Sequence, residues 1–320
     1  MSSIIVASAL LIAVIALLFI RGFGAADRST IYAVSAVGVG VVLNITPLYG
    51  LVDGWLGARN IADLIANTSI ILGMASLARG VVTAADGSLP LARIILGEWT
   101  PWVAVLMSII AFSLIDIAGT SSQFMIDYGD QPAAAVYSGL QNLYFGLVTT
   151  SLAIICARQL GRARGFKRAA AGVLMVGSII QTVSCADVIF MDIAHVLGEI
   201  QLMELGQWVY DFANSVGIVL MATGFVLLPI ARFINEQRFR HRAESLAQEL
   251  NPTWRRALDT QRSGPRADTT EEIGSILYRQ AIEVRDAQAS ARNVFQLSAG
   301  EAALLGEAES LLLDADPTNA

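Results

Sequence analysis

Ionisable residues inside long apolar stretches are the ones that could do chemistry in this chain, because each costs free energy in lipid. Asp63, Asp116 and Asp187 fall inside such stretches, and Asp192 and His195 follow one helical turn apart. Together these five residues predict an outward-facing pocket for a proton, a metal ion or a cationic solute. The competing interpretation is that these carboxylates reach the headgroup layer or bond to neighbouring helices. The pair Asp192 and His195 alone is too short a pattern for a metal site, so we predict none.

Neutral polar residues form a second set within the apolar stretches. Pro47 removes a helical hydrogen bond and predicts a kink, and neighbouring polar groups usually satisfy the carbonyl that it frees. Bonds between helices explain the other members without a ligand. The predicted kink and polar core consist of Asn44, Pro47, Asn67, Asn142, Gln181 and Asn214.

The elements that must position these residues are membrane-spanning helices. The chain is 55% apolar and only 15% charged, with a mean hydropathy of +0.59. About 20 apolar residues in a helix cross about 30 Å of hydrocarbon. Seven segments are long enough: Ile4–Ile20, Ile31–Leu51, Ile61–Leu77, Trp102–Ala118, Ala133–Ala157, Ala169–Ile189 and Phe212–Ala231.

The basic residues predict the orientation of these seven segments. If the N-terminus is outside, the inner segments hold every one of the 21 Lys and Arg residues except Arg59. Flanking basic residues resist translocation, so this bias selects that orientation. Arg21 follows the first segment and no basic residue precedes it, so Ile4–Ile20 is interpreted as a retained helix and not a cleaved signal. The sequence therefore predicts an all-α, polytopic protein of the cell membrane, with the N-terminus out and the C-terminus in.

The membrane domain is predicted at 1–231 and a small helical cytoplasmic tail at 232–320. A stem over 232–262 should continue the seventh span, with a break or kink at Pro252. Thr269 with Glu272, and Ser298 with Glu301, have capping-box spacing. These boxes predict further helices at about 271–295 and 299–313.

The tail carries none of the motifs expected of an enzyme. It has no glycine-rich phosphate loop and no Ser/His/Asp set. We therefore predict a non-enzymatic protein without a cofactor. The basic residues near the bilayer are already explained by orientation, so we predict the lipid bilayer and no nucleic acid as their partner.

One part of the tail is a candidate surface for a cytoplasmic regulatory protein. Charges four apart on an exposed helix contribute only about 0.2–0.5 kcal/mol, too little to explain so dense a charged face by stability alone. We therefore expect some of these charges to bond to the inner loop 158–168, to the stem or to a partner. The surface consists of Tyr278, Arg279, Glu283, Arg285 and Asp286.

The same segment carries a family resemblance. Residues 277–286, LYRQAIEVRD, resemble the "YRRvIEIRDg" signature of actinobacterial multi-pass membrane proteins that end in a domain of unknown function. TWRRAL at 253–258 and ARNIADL at 58–64 are similar to two further segments of that family. The chain departs from the family after Asp286, where "LLALRPY" would follow. Members are often labelled as transporters, which implies transport without naming a substrate.

Two functions follow from these observations. The first is a sensor or signalling scaffold that relays changes through the seventh span to a cytoplasmic partner, since that span continues into an amphipathic stem. The alternative is a transporter of an ion or small solute that uses the carboxylates of the outer third. Capture of a specific soluble partner by the tail would favour sensing.

Overall fold

The computed structural model describes residues 28–84, 90–161, 163, 165–261, 273–290 and 295–315, and within these ranges every regular element is an α-helix. The predicted first span, Ile4–Ile20, and the capping box of Thr269 and Glu272 lie outside the described residues. The chain divides into two compact units, Met1–Ile230 and Ala231–Ala320.

The described helices are α1 (Arg28–Leu43), α2 (Thr46–Trp55), α3 (Ile61–Ala84), α4 (Pro90–Ile95), α5 (Thr100–Ser113), α6 (Phe124–Tyr128), α7 (Pro132–Leu160), α8 (Gly165–Val196), α9 (Ile200–Gln261), α10 (Ile273–Ser290) and α11 (Ala299–Ala315).

Several of these helices have the length and composition of membrane spans. Among the described residues four qualify, within α3, α7, α8 and α9, or five if α1 and α2 together form one bent span. They correspond to the predicted third, fifth, sixth and seventh segments. The chain is therefore a helical membrane protein.

The predicted second segment is divided into two helices. The Ser35–Leu43 part of α1 and the whole of α2 meet at 93°, around Asn44 and Ile45. Asn44 Nδ2 donates to the Gly40 carbonyl at 2.9 Å, which satisfies one acceptor at the end of α1. Pro47 lies in the first turn of α2, where its missing N–H costs little. The bend thus precedes the proline.

The predicted fourth segment is shorter as a helix than its apolar composition indicated. Only Thr100–Ser113 is helical, a length of 14 residues, and the chain continues as an irregular segment through Asp116 to Ser121. Polar contacts with the turn before α3 hold this segment, as described below. The predicted helix to Ala118 is therefore wrong at its C-terminal end.

Close approach of helix backbones organises the first unit. A methyl group placed on Gly73 of α3 would lie 2.8 Å from the Ala33 carbonyl oxygen of α1. One placed on Gly224 of α9 would lie 2.7 Å from Leu174 Cα of α8. Small residues permit such contacts between helices in lipid, where no hydrophobic effect drives association. The interior also contains Val148 and Leu152 of α7, both fully buried.

The second unit has its own apolar core. The last part of α9 contributes Leu246 and Leu250, and α10 contributes Leu277 and Val284. Leu305 of α11 completes this core. The helix α9 continues through Pro252 without interruption, so of the predicted break or kink the break is wrong, and the kink stays a prediction. Packing of buried residues on both sides of Pro252 stabilises the helix against the loss of one hydrogen bond.

We expect Gly224→Ala to lower the melting temperature of the detergent-solubilised protein, because the added methyl overlaps the Leu174 backbone. Overpacking of this kind costs about 1–3 kcal/mol. A thiol-reactive dye can follow unfolding, since Cys156 and Cys185 are free and buried. Gly139→Ala in α7 is the control, because its new methyl meets no atom within 4 Å. Equal melting temperatures for the two variants would contradict the close-packing account.

Candidate functional site

The buried carboxylate Asp53 organises a hydrogen-bond network between α2, the start of α3 and the segment after α5. Its Oδ2 accepts bonds from the Asn60 N–H at 3.0 Å and the Thr120 hydroxyl at 2.5 Å. Its Oδ1 accepts the Ala62 N–H at 3.2 Å. Because Ala62 lies in the first turn of α3, the carboxylate also caps that helix, where negative charge is favoured.

Asn60 completes this network. Its Oδ1 accepts bonds from the Tyr49 hydroxyl and the Ser121 N–H, both at 2.7 Å, and its Nδ2 donates to the Gly119 carbonyl at 2.8 Å. Its φ of +55° lies in a region that asparagine tolerates better than most residues. We define the Asp53 network as Tyr49, Asp53, Asn60, Thr120 and Ser121. Every side-chain oxygen of Asp53 and Asn60 is bonded, so the network is a structural joint.

Asp63 belongs to a neighbouring hydrogen-bonded group. Its Oδ2 accepts a bond from the Tyr137 hydroxyl at 2.8 Å and one from Asn67 Nδ2 at 3.0 Å. Tyr137 is on α7, so these bonds join α3 to α7. The predicted pocket residue Asp63 and the predicted polar-core residue Asn67 are therefore bonded to each other. Together with Tyr137, they stabilise the packing of α3 against α7.

A different pattern of hydrogen bonding occurs along one face of α8. Ser178, Gln181, Ser184 and Asp192 are all buried, with at most 6% of each residue exposed. Their spacing places them along one side of the helix, toward α7 and α9. We call these four residues the polar seam.

Some seam groups are bonded to neighbouring helices. Gln181 Nε2 donates to Asn214 Oδ1 of α9 at 3.1 Å, and Asn214 Nδ2 donates to the Tyr210 hydroxyl at 3.2 Å. On the other side, Asn142 Nδ2 of α7 donates to the Ser138 carbonyl at 3.0 Å. Ser138 is also a neighbour of Asp192. Predicted polar-core residues therefore border the seam on both sides.

One polar atom of every seam residue has no hydrogen-bond partner. These atoms are Ser178 Oγ, Gln181 Oε1, Ser184 Oγ and Asp192 Oδ2. Hydroxyls in this protein usually bond to the carbonyl one turn back, as Ser76 and Ser151 do at 2.8 Å. A buried group without a partner costs about 1–3 kcal/mol, so each of these four atoms destabilises the helix interface unless it gains a partner.

The remaining predicted pocket residues have different neighbours. Asp187 also has an unpartnered oxygen, Oδ2, and its other oxygen, Oδ1, lies beside Gly206 of α9. His195 lies against Gly129, next to α6. Asp116 is exposed, and its backbone N–H donates to Gln131 Oε1 at 2.9 Å. Asp116 and Asp187 thus lie on different elements with different contacts.

The chemistry available at the seam is binding by neutral oxygens and carboxylates. Within the described ranges no group of three or more His, Cys, Asp or Glu residues could hold a metal ion. A solute with hydrogen-bond donors or a small positive charge would match the amide, hydroxyl and carboxylate oxygens that line the seam. Ser178 and Ser184 were not predicted as site residues from the sequence, because single serines are common in membrane-spanning helices. Their three-residue spacing from Gln181 was the available signal.

The predicted tail surface is used partly inside the tail. Glu283 accepts a bond from the Trp254 indole N–H, and Arg285 bonds to both carboxylate oxygens of Glu309 at 2.6 and 2.7 Å. Asp286 is exposed, as is Tyr278. Arg279 is half-buried on the same helix. Some of the five predicted residues therefore stabilise the helix packing of the tail, and Tyr278 and Asp286 present the accessible part of the surface.

Glu301 joins α11 to the last part of α9. The Ser298 N–H donates to its carboxylate at 2.8 Å, and the Glu301 N–H bonds to the Ser298 hydroxyl at 3.3 Å, so the predicted capping box is confirmed. Arg256 and Thr253 also bond to the carboxylate, at 2.8 and 2.9 Å. The Ser298 bond, together with those from Arg256 and Thr253, lowers the pKa of Glu301 to about 2.

No protein-family model, curated protein or solved structure matches this chain. The resemblance to the actinobacterial family stays a prediction that depends on the tail segment.

Asn60 and Ser184 should respond oppositely to truncation. We expect Asn60→Ala to lower the free energy of unfolding by about 1–3 kcal/mol, because it leaves buried partners unbonded. Ser184→Ala should be neutral or stabilising, because it removes an unpartnered hydroxyl. Thermal unfolding of the two variants in one detergent measures both effects. A clear loss of stability in Ser184→Ala would show that its hydroxyl is already satisfied.

The Glu301 pKa predicts an acid-sensitive tail. Because folding lowers this pKa, its contribution to stability is complete above pH about 4.5 and is lost as the pH falls toward about 2. The hydrogen-exchange protection factors of residues 299–315 in the full-length protein, which are corrected for the intrinsic exchange rate at each pH, should therefore fall over that range. In the Glu301→Gln variant the same residues should be less protected from exchange at neutral pH, and their protection should change less as the pH falls. The exposed Glu244→Gln is the control and should retain the native profile.

Proposed function

We propose that this protein is a non-enzymatic sensor of the cell membrane, in which the polar seam binds a small polar or cationic solute. The observation that carries the proposal is the set of four unpartnered polar atoms on α8. Retaining them destabilises an empty helix interface, whereas a bound solute with hydrogen-bond donors would satisfy the Gln181 oxygen together with the Ser178 and Ser184 hydroxyls. At 1.5 Å per residue, Asp192 lies about 16 Å farther along α8 than Gln181, so its carboxylate would contact the solute at a separate position nearer the end of the seam.

The proposed topology has seven spans, the N-terminus outside and the tail in the cytoplasm. Its support is the distribution of basic residues, with Arg59 alone on the outer side. In this orientation Asp192 and His195 are near the outer surface, so solute would enter the seam from outside. The tail would then present Tyr278 and Asp286 to a cytoplasmic regulatory protein.

The relay to the tail is supported by two observations. The helix α9 contains Asn214, which bonds to Gln181 of the seam, and the same helix continues to Gln261 within the second unit. A solute that competes for the Gln181 amide would change the bonding of α9 directly. A sensor requires such a difference in contacts between its bound and free states.

A transporter is the second candidate, and the carboxylates favour it. Asp187 and Asp192 each retain an unpartnered oxygen on the same helix. Carboxylates inside spans are frequent in ion and proton pathways. In this alternative the seam releases its ligand to the opposite side, and the tail has no relay role.

Solute binding can be tested by thermal unfolding of the full-length protein with a panel of monovalent cations, polyamines, amino acids and sugars. A ligand at 100 times its Kd stabilises the folded state by about 2.7 kcal/mol. We expect at least one compound to raise the melting temperature of the wild type and not that of Gln181→Met, which removes the seam amide. The control is Gln207→Met, because Gln207 lies outside the seam and donates to Asp211 on the same helix. Equal shifts in all three proteins would contradict seam binding.

The same compound then separates the two candidates. In sealed liposomes a transporter moves the compound or a coupled proton across the bilayer, and Asp192→Asn should abolish the flux. A sensor produces no flux, but the compound should change the fluorescence of a dye attached at Tyr278→Cys. Flux without a change at the tail would reject the sensor in favour of the transporter.

A further inference from the structure

A cleft in the first unit lies at the end of α3 opposite the Asp53 network. It has a volume of about 460 Å³ and is lined by Arg79, Val82, Thr83, Arg93, Gly97 and Glu98, among others. It lies apart from the polar seam, and none of its residues is used in the proposed function. Its lining combines two guanidinium groups with backbone of the α4–α5 connection.

Arg79 is held in place at this cleft. Its Nε donates to the Leu96 carbonyl at 2.8 Å, and its Nη2 donates to the Gly97 carbonyl at 3.1 Å. These acceptors are neutral, so the positive charge of Arg79 is not neutralised by them. A guanidinium has five N–H donors, and those of Nη1 remain available for a ligand in the cleft.

The charge of the cleft fits a singly charged anion. Arg79 and Arg93 contribute two positive charges and Glu98 one negative charge, which leaves a net formal charge of +1. Within the described part of the chain neither arginine forms an ion pair with a carboxylate. A phosphodiester carries one negative charge and has oxygens that arginine binds well.

The surroundings of the cleft indicate a lipid as the source of that phosphodiester. Leu91 and Ile94, beside Arg93 on α4, are 62% and 68% exposed. Trp99 and Trp102 follow Glu98 and are 78% and 56% exposed. Exposed tryptophans favour the headgroup layer of a bilayer, and the aliphatic residues provide a surface for acyl chains.

We propose that this cleft binds the phosphodiester headgroup of an anionic phospholipid. Arg79 and Arg93 contact the phosphate, and the acyl chains pack along the exposed apolar residues of α4 and α5. A zwitterionic headgroup binds less well, because its own cation neutralises the phosphate and would lie near a second arginine. Basic pockets between spanning helices recognise anionic headgroups in this way.

The experiment is native mass spectrometry of the full-length protein with equimolar phosphatidylglycerol and phosphatidylcholine. We expect the first bound lipid to be phosphatidylglycerol in about fivefold excess, the preference that one surface arginine can supply. Arg93→Gln should abolish this preference with little effect on folding, because Arg93 is exposed and forms no ion pair with a carboxylate among the residues that the structure describes. Arg79→Gln should also abolish it, but that variant loses two bonds to the α4–α5 connection.

The control is Arg168→Gln, which removes an exposed arginine near the start of α8, outside the cleft lining. It should leave the lipid preference unchanged. Equal binding of the two lipids by the wild type would overturn the proposal, as would equal losses in Arg93→Gln and Arg168→Gln. Displacement of phosphatidylglycerol by inorganic phosphate alone would assign the cleft to a free anion instead.

Discussion

Every polar group that is removed from water in a membrane protein must find its partner within the protein or in a bound molecule. This constraint separates the two polar regions of the first unit. Around Asp53 and Asn60 the donors and acceptors match one another, and the region joins three stretches of chain. Along α8 the same kinds of residue leave oxygens without donors. Residues of the same kind are therefore fully bonded at one site and partly unbonded at the other.

Close helix packing makes this contrast possible. Gly177 and Gly224 allow α8 and α9 to approach closely at two positions, so the packing fixes which side chains can reach the seam. Gln181 can reach Asn214 with its amide nitrogen, but its oxygen faces the Gly217 position. A looser interface could admit other side-chain donors. The glycines thus fix both the position of the seam and its unmatched atoms.

The sequence predicted features that depend on local pattern. The capping box of Ser298 and Glu301 is set by a spacing of three residues, and the apolar segments that became α3, α7, α8 and α9 are set by hydropathy. The Asp53 network was missed because its bonds are long-range: Asn60 and Gly119 are 59 residues apart. No local pattern indicated that these bonds would hold the chain after Ser113 in an irregular conformation. The unpartnered atoms of the seam were also beyond sequence reasoning, because they depend on which neighbours the packing supplies.

The right-angled turn between α1 and α2 has a consequence for the surrounding lipid. If α1 follows the bilayer normal, α2 lies in the plane of the membrane, with Leu51 and Trp55 exposed on its outer face. A helix in that position takes up area in one leaflet and none in the other, as interfacial amphipathic helices do. The lipid beside α2 would then be displaced in one leaflet only, so the free energy of inserting this short helix would depend on the curvature of the membrane around it.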